Sequence, residues 1–148
     1  NESLSDTYWL NVNDPGFPFV GVIEHTNFDT ENDYGSNHIA YLSKYLSQNE
    51  KSWGMNDEEY FNYAIDHLQE MFPNFQRSSV LEWKIWRTKY AQPITTKDYS
   101  KIVPKTEMPY KNGWIATMAQ IYPEDRGTNY ALRDGELVIN KIYANENY

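Results

Sequence analysis

The chain contains no cysteine, and this absence removes several kinds of chemistry at once. Disulfide bridges, thiolate metal sites and a cysteine nucleophile all need a thiol, so none of them is available here. No apolar run approaches the ~20 residues that a transmembrane helix needs, and the front of the chain lacks the basic-then-apolar pattern of a secretory signal. We expect a cytoplasmic protein that does not span a membrane.

Basic residues are in the minority, with 13 lysines and arginines against 21 acidic residues and a formal net charge of −8. A surface of this sign repels phosphates, so binding to nucleic acid or to an anionic membrane is disfavoured. Aromatic residues, by contrast, make up 16% of the chain. Such a content suits a sheet with wide aromatic faces or the wall of a pocket, although most aromatics are expected to be ordinary core and hairpin residues.

Most motifs that identify an enzyme by themselves are missing. The seven glycines stand apart, so there is neither a P-loop nor a Gly-x-Gly-x-x-Gly turn, and no Gly-x-Ser-x-Gly elbow is present. His25, His38 and His67 lack the spacing of zinc ligands, and we expect no metal site. His25 ends an apolar strand, where it is either a pocket residue or, more commonly, a core histidine with a hydrogen-bond partner.

The hydrophobic pattern predicts an α+β fold, mainly antiparallel sheet with one central amphipathic helix and one C-terminal helix. Alternation predicts strands over residues 8–13, 17–27, 38–46 and 80–90, and a short apolar run predicts a buried strand over 113–119. The turn Asp14-Pro15-Gly16 joins the first two strands into a hairpin. Asn56 and Glu59 have the spacing of a capping box, and the apolar stripe that follows predicts a helix up to Pro73.

The stretch from Gly113 to Gly135 reads as a strand, a polar loop, a glycine turn and a helix that is capped by Thr128 or Asn129. The apolar stripe of this helix is weak and is interrupted by Gly135. The free N–H groups of such a helix can receive an anion or an electron-rich carbonyl, and Gly127 would let a ligand approach the backbone. A plain strand-to-helix turn accounts for the same pattern equally well.

Residues 114–131 include Met-Ala-Gln-Ile-Tyr-Pro followed by Asp-Arg-Gly-Thr-Asn-Tyr-Ala. This segment resembles the C-terminal flavin-contacting motif of FAD-dependent amine-oxidase-like proteins, in particular bacterial protoporphyrinogen-oxidase-like proteins and relatives of UDP-galactopyranose mutase. Residues 8–12, 17–28, 34–42 and 90–93 are similar to the same group. The resemblance extends over nearly the whole chain and keeps its order.

The resemblance implies one part of a larger flavoenzyme. In that family an N-terminal dinucleotide-binding fold holds FAD, and a sheet-rich domain caps the flavin as the substrate pocket. Residues 1–112 would be a portion of this substrate (cap) domain, and residues 113–148 the C-terminal flavin-contacting strand-turn-helix. The N-terminal dinucleotide-binding half is absent from this chain and is its expected partner, so we expect the chain alone to be inactive and to retain FAD poorly.

The same resemblance implies site residues for a reaction that moves a hydride from a C–N or C–C bond of a small-molecule substrate to the flavin. The positive end of the terminal helix would face the flavin pyrimidine edge and favour the anionic reduced form. The residues that would lie against the isoalloxazine are Arg126, Gly127, Thr128 and Asn129. The candidates for the substrate pocket are His25, Asn27 and Tyr90. We assign no catalytic acid or base, because the flavin carries the chemistry.

Two alternatives stay open. A flavin-dependent sugar-nucleotide mutase would need arginines to meet a diphosphate, and Arg87 and Arg133 are its candidates. A standalone binding module would use an aromatic face for a sugar or a peptide; the aromatic surplus supports it and the ordered resemblance opposes it. We also expect the surface around residues 114–130 to be exposed and to promote self-association or local disorder.

Overall fold

The structure, a computed structural model, describes residues 2–146, which form two compact units divided between Arg87 and Thr88. The boundary that we placed after Asn112 does not coincide with this division. Residues on either side of that boundary are joined by backbone hydrogen bonds, from Met108 N to Gly113 O (3.0 Å) and from Ile115 N to Thr106 O (2.9 Å). They therefore belong to the same unit.

The first unit contains a three-stranded antiparallel sheet in the order β1-β2-β3. Its strands are β1 (Trp9–Asn11), β2 (Gly21–Glu24) and β3 (Ala40–Ser43). The predicted hairpin and third strand are confirmed, although each strand is shorter than its alternating pattern. In the turn, Gly16 N donates to Asp14 Oδ1 (2.8 Å), so the aspartate side chain holds the glycine as the sequence suggested.

The first long helix, α1 (Asp57–Met71), begins and ends where the sequence predicts. Asn56 Oδ1 accepts from Glu59 N, and Glu59 Oε2 accepts from Asn56 N, both at 2.9 Å. This capping box pairs two amides that would otherwise lack a partner at the helix start. Pro73 follows the C-cap residue and cannot continue the helix.

The core of the first unit lies between the sheet and α1. Leu10, Val22 and Leu42 are aligned across the three strands and lie on the same face of the sheet. Val22 packs there with Ile65 and Leu68 of α1. Burial of a side chain of this size contributes roughly 1.5–3 kcal/mol, so the apolar stripe of α1 is what holds the helix on the sheet.

The strand that alternation predicted over residues 80–90 is wrong. Residues 80–88 lie in no helix or strand, and within the described part of the chain they pair with no other segment. Alternation reports an extended chain with two different faces, and it cannot supply the neighbouring strand that completes a ladder. Side chains instead hold this stretch along α1, where Trp83 stacks on Phe61 with 4.4 Å between ring centroids.

The second unit is mostly irregular chain and one long helix, α2 (Thr128–Glu146). Tyr99 and Ile121 are its buried hydrophobic residues, and Tyr99 Oη donates to Ala119 O (2.7 Å). The helix runs through Gly135 without a break, in agreement with the predicted C-terminal helix. Glycine costs a helix interior only about 1 kcal/mol relative to alanine, and the residues around it supply enough helix propensity.

The buried strand predicted over residues 113–119 is also wrong. Only Trp114 makes a bridge, to Glu107, and residues 116–118 are exposed. Thr117 and Gln120 form a local capping box in which Thr117 N donates to Gln120 Oε1 (2.7 Å). That side-chain bond turns the chain into a short 3-10 helix at Met118–Gln120 instead of letting the strand continue.

Taken over both units, the fold is α+β, as predicted, with more helix than strand. Among residues 2–146, no helix combines the length and the hydropathy that crossing a bilayer requires.

Candidate functional site

The start of α2 lies within the motif that carries the resemblance. Gly127 is the residue before the helix, and its carbonyl accepts from Ala131 N (3.1 Å). Thr128 and Asn129 are thus already inside the first turn, so the prediction that one of them caps the helix is wrong. The amides of this turn have no carbonyl four residues back within the helix, and the helix dipole makes this end positive.

The side chain of Asn129 lies close to Gly127. A Cβ added there would stand 2.6 Å from Asn129 Oδ1, well inside van der Waals contact. The Asn129 side chain thus folds back over the glycine. The close approach that the sequence assigned to a ligand is made here by the asparagine, which is exposed on its other side together with Thr128.

Arg126 is held against its neighbour in sequence. Asp125 Oδ1 accepts from Arg126 N (2.8 Å) and lies 3.4 Å from Arg126 Nη1. The arginine side chain is largely covered, whereas the aspartate is almost fully exposed. The positive charge of Arg126 is therefore partly balanced by Asp125. Residues 126–129 form a polar turn that leads into the positive N-terminal end of α2.

Arg133, one turn into α2, is committed to structure. Its guanidinium bonds Asp134 Oδ1 (2.9 Å) and Glu124 Oε1 (3.1 Å) and lies over the ring of Tyr130. The hydrogen bonds that Arg133 donates to Asp134 and Glu124 raise the pKa of Arg133. The pKa of Glu124 is lowered by its own backbone hydrogen bond first and by Arg133 second. A diphosphate would have to displace these carboxylates.

Arg87, the other arginine considered for a diphosphate, is likewise paired. It contacts Asp57 Oδ1 and donates to Met55 O (3.2 Å) at the start of α1. Its guanidinium also lies 5.7 Å from the ring centroid of Tyr60. Neither arginine is arranged to receive a ligand, so no observation favours the mutase alternative.

His25 belongs to a chain of hydrogen bonds in the first unit. Its Nε2 lies 2.8 Å from Tyr34 Oη, and that hydroxyl donates to Asp29 Oδ2 (3.1 Å). Burial, followed by the bond to Asp29, raises the pKa of Tyr34. The imidazole is half-buried and lies edge-on to Tyr41 as well. Of the two readings of His25, the histidine with a hydrogen-bond partner fits the structure, although it lies beside the core and not within it.

Asn27 and Tyr90, the other two pocket candidates, lie in different units. Asn27 Nδ2 donates to Ser5 O (2.5 Å) and Thr7 O (3.2 Å), so it fixes the chain that precedes β1. Asn27 and His25 lie in the same 3-10 turn (His25–Asn27), but their side chains contact different residues. Tyr90 belongs to the second unit and is 85% exposed, with Lys89 Nζ 5.7 Å from its ring centroid. His25 and Asn27, both in the first unit, share no hydrogen bond with each other.

Glu24 is a residue that the sequence reasoning missed. It is 1% exposed at the end of β2, and its carboxylate accepts from Leu4 N (3.0 and 3.1 Å) and Ser5 N (3.1 Å). His38 Nδ1 lies 3.6 Å away. The sequence does contain a signal for this role, which is a carboxylate at the end of an apolar strand. A buried charge there needs hydrogen-bond donors, because an unpaired buried charge is costly.

A cavity of about 170 Å³ lies between residues 2–4 and 71–75, which is smaller than sites for drug-sized ligands. Over residues 2–146 no group of three or more His, Asp or Glu side chains is close enough to hold a metal ion. The polar turn at the start of α2 is therefore the best candidate site.

Comparison of the chain with protein-family models, curated proteins and solved structures found no match. The family resemblance thus stays a prediction that rests on the quoted residues.

Proposed function

We propose that the chain is the substrate-side and C-terminal region of an FAD-dependent, amine-oxidase-like oxidoreductase. The whole protein would transfer a hydride from a small-molecule substrate to the flavin, in the cytoplasm. The observation that carries the proposal is a coincidence of motif and geometry. The Asp-Arg-Gly-Thr-Asn-Tyr-Ala segment, which resembles a flavin-contacting motif, is also the place where a 19-residue helix begins.

The residues at this helix start suit the edge of a flavin ring. The amides of the first turn and the positive helix end favour an electron-rich carbonyl or a negative charge. Thr128 and Asn129 present exposed polar side chains that can form hydrogen bonds with the edge of a ring. The flavin supplies the redox chemistry when it is bound. The residues of this chain orient the ring and set the charge that it tolerates.

The first experiment reads the encoding gene upstream of Asn1. A strand, a Gly-x-Gly-x-x-Gly turn and a helix in the same frame are expected. A stop codon immediately upstream of Asn1 would contradict the proposal, because no other part of the same product would then hold the nucleotide half of FAD.

The second experiment uses the complete gene product with bound flavin. Asn129→Asp adds a negative charge in the first turn of α2, where the helix dipole tolerates it, and it should lower the flavin midpoint potential by opposing the reduced anion. Asn140→Asp, on the same helix but three turns away, is the matched control and should leave the potential unchanged. Equal potentials for the two variants would place the flavin away from this turn.

A further inference from the structure

Residues 81–87 form a segment whose backbone groups are unpaired. In the part of the chain that the structure describes, none of their backbone N–H or C=O groups has a hydrogen-bond partner within the protein. Several side chains there are also exposed, among them Leu81 at 58% and Trp86 at 73%. A row of unpaired N–H and C=O groups beside large apolar side chains can act as a template for pairing with another chain.

Side-chain contacts hold the segment in place without using its backbone. Trp83 stacks on Phe61 with an interplanar angle of 12°, and Arg87 joins Asp57 and Met55 O at the start of α1. These side-chain contacts fix the path of the chain along the helix. They leave the row of amides and carbonyls available, so an incoming strand would meet an edge that is already ordered.

The sequence of this edge is complementary to itself. Residues 81–85 read Leu-Glu-Trp-Lys-Ile, with an acid and a base placed symmetrically about Trp83. In an antiparallel pair centred on Trp83, each Glu82 lies opposite Lys84 of the other strand, and each Leu81 lies opposite Ile85. Directly opposite residues share a face of the ribbon, and opposite charges there stabilise the pair.

We propose that residues 81–85 pair antiparallel with the same residues of a second copy of this chain, about a two-fold axis at Trp83. The contact is isologous, which means that the same residues of the two copies pair with each other. The assembly therefore closes as a dimer. The pairing places Trp86 opposite Val80 and covers apolar surface that is exposed in the single chain. It does not depend on the proposed flavin chemistry, and it lies outside residues 114–130, where self-association was expected from the sequence.

The first test measures the dimer dissociation constant of the full chain by sedimentation and light scattering over a range of concentrations. Lys84→Glu places like charges opposite each other twice in the dimer and should raise the constant about tenfold or more. Glu82→Lys should do the same. The double variant with both changes restores opposite charges in the same register and should restore the wild-type constant. Glu70→Lys, an exposed change on α1, is the control and should have no effect.

The second test determines the register. The chain has no cysteine, so single cysteines report unambiguously. A mixture of the Glu82→Cys and Lys84→Cys variants should form a disulfide-linked pair under mild oxidation, because these positions lie directly opposite each other. Each variant alone should cross-link far less, since identical positions are then diagonal neighbours, ~7–8 Å apart, whereas a disulfide needs Cβ atoms ~3.8 Å apart.

Three results would overturn the proposal: a chain that stays monomeric at all concentrations, a dimer whose constant does not respond to the single charge reversals, or a double variant that fails to recover. Circular dichroism of each variant shows that a loss of dimer is not a loss of folding. Recovery by the double variant together with the mixed cross-link would establish both the surface and its register.

Discussion

Replacing Glu24 with alanine should destabilise the first unit strongly, because this carboxylate is buried and accepts from two backbone amides. Leu4 N and Ser5 N donate to it at 3.0–3.1 Å, and His38 Nδ1 lies 3.6 Å away. A hydrogen bond to a charged group contributes about 1.5–3 kcal/mol, and two amides lose their acceptor together. Because water can reach part of the vacated site, we expect a loss of about 3–5 kcal/mol and not the full sum.

The assay is urea unfolding followed by tryptophan fluorescence, together with hydrogen exchange of the Leu4 and Ser5 amides. Glu24→Gln keeps the shape and one carbonyl oxygen, and it should lose about half as much stability. Glu70→Ala, an exposed glutamate on α1, is the control and should stay within ~0.5 kcal/mol. If Glu24→Ala changes the free energy of unfolding by less than ~1 kcal/mol, or leaves the exchange of both amides unchanged, the carboxylate does not hold the segment as argued.

Three further predictions concern other contacts. Asn56→Ala removes half of the capping box and should cost about 1 kcal/mol in thermal or urea unfolding. Lys141→Met should raise the pKa of Glu107 in a carboxyl NMR titration, because the hydrogen bond that Lys141 donates is the main cause that lowers this pKa. Since the pKa of Glu107 is lowered in the folded chain, its pair with Lys141 stabilises the fold above the ordinary value of 4.5. This stabilisation is lost as the pH falls through the lowered pKa. Arg87→Met should raise the pKa of Tyr60 further, because burial raises this pKa and Arg87 opposes that shift. The neutral phenol of Tyr60 contributes its full stability to the fold below the ordinary pKa of 10.0. This contribution is lost as the pH rises through the raised pKa.

Each of these three predictions has a conservative control. Asn56→Asp keeps a capping oxygen and should be nearly neutral. Lys111→Met removes a lysine that does not affect Glu107 and should leave its pKa where it is. Arg87→Lys keeps the positive charge and should leave most of its effect on Tyr60. A shift in any control as large as in its partner variant would contradict the assigned contact.

The features that the sequence predicted correctly are those whose signals are local. The hairpin depends on three turn residues, and α1 depends on a cap and a stripe that lie within the helix itself. The strands over 80–90 and 113–119 failed for the opposite reason, because a strand needs a partner that no local pattern names. At 113–119 a second local signal, the Thr117 and Gln120 side chains, competes with the apolar run and prevails.

The candidate site shows the same limit at the level of single residues. The position of the polar turn at the start of α2 was predictable, since Gly127 and the motif around it are visible in the sequence. The side-chain arrangement was not, because it depends on which atoms meet in space. Asn129 covers Gly127, and Arg133 and Arg87 are taken by carboxylates that no spacing rule connects to them.

The stretch before β1 is held by two side chains, one at the end of β2 and one in the 3-10 turn that follows it. Glu24 takes up the amides of residues 4 and 5, and Asn27 donates to the carbonyls of residues 5 and 7. Together they imitate the alternating acceptors and donors of a neighbouring strand, although no strand is there. This stretch should consequently join late in folding, once β2 has placed both side chains, and it should peel away as a unit before the ladder itself opens.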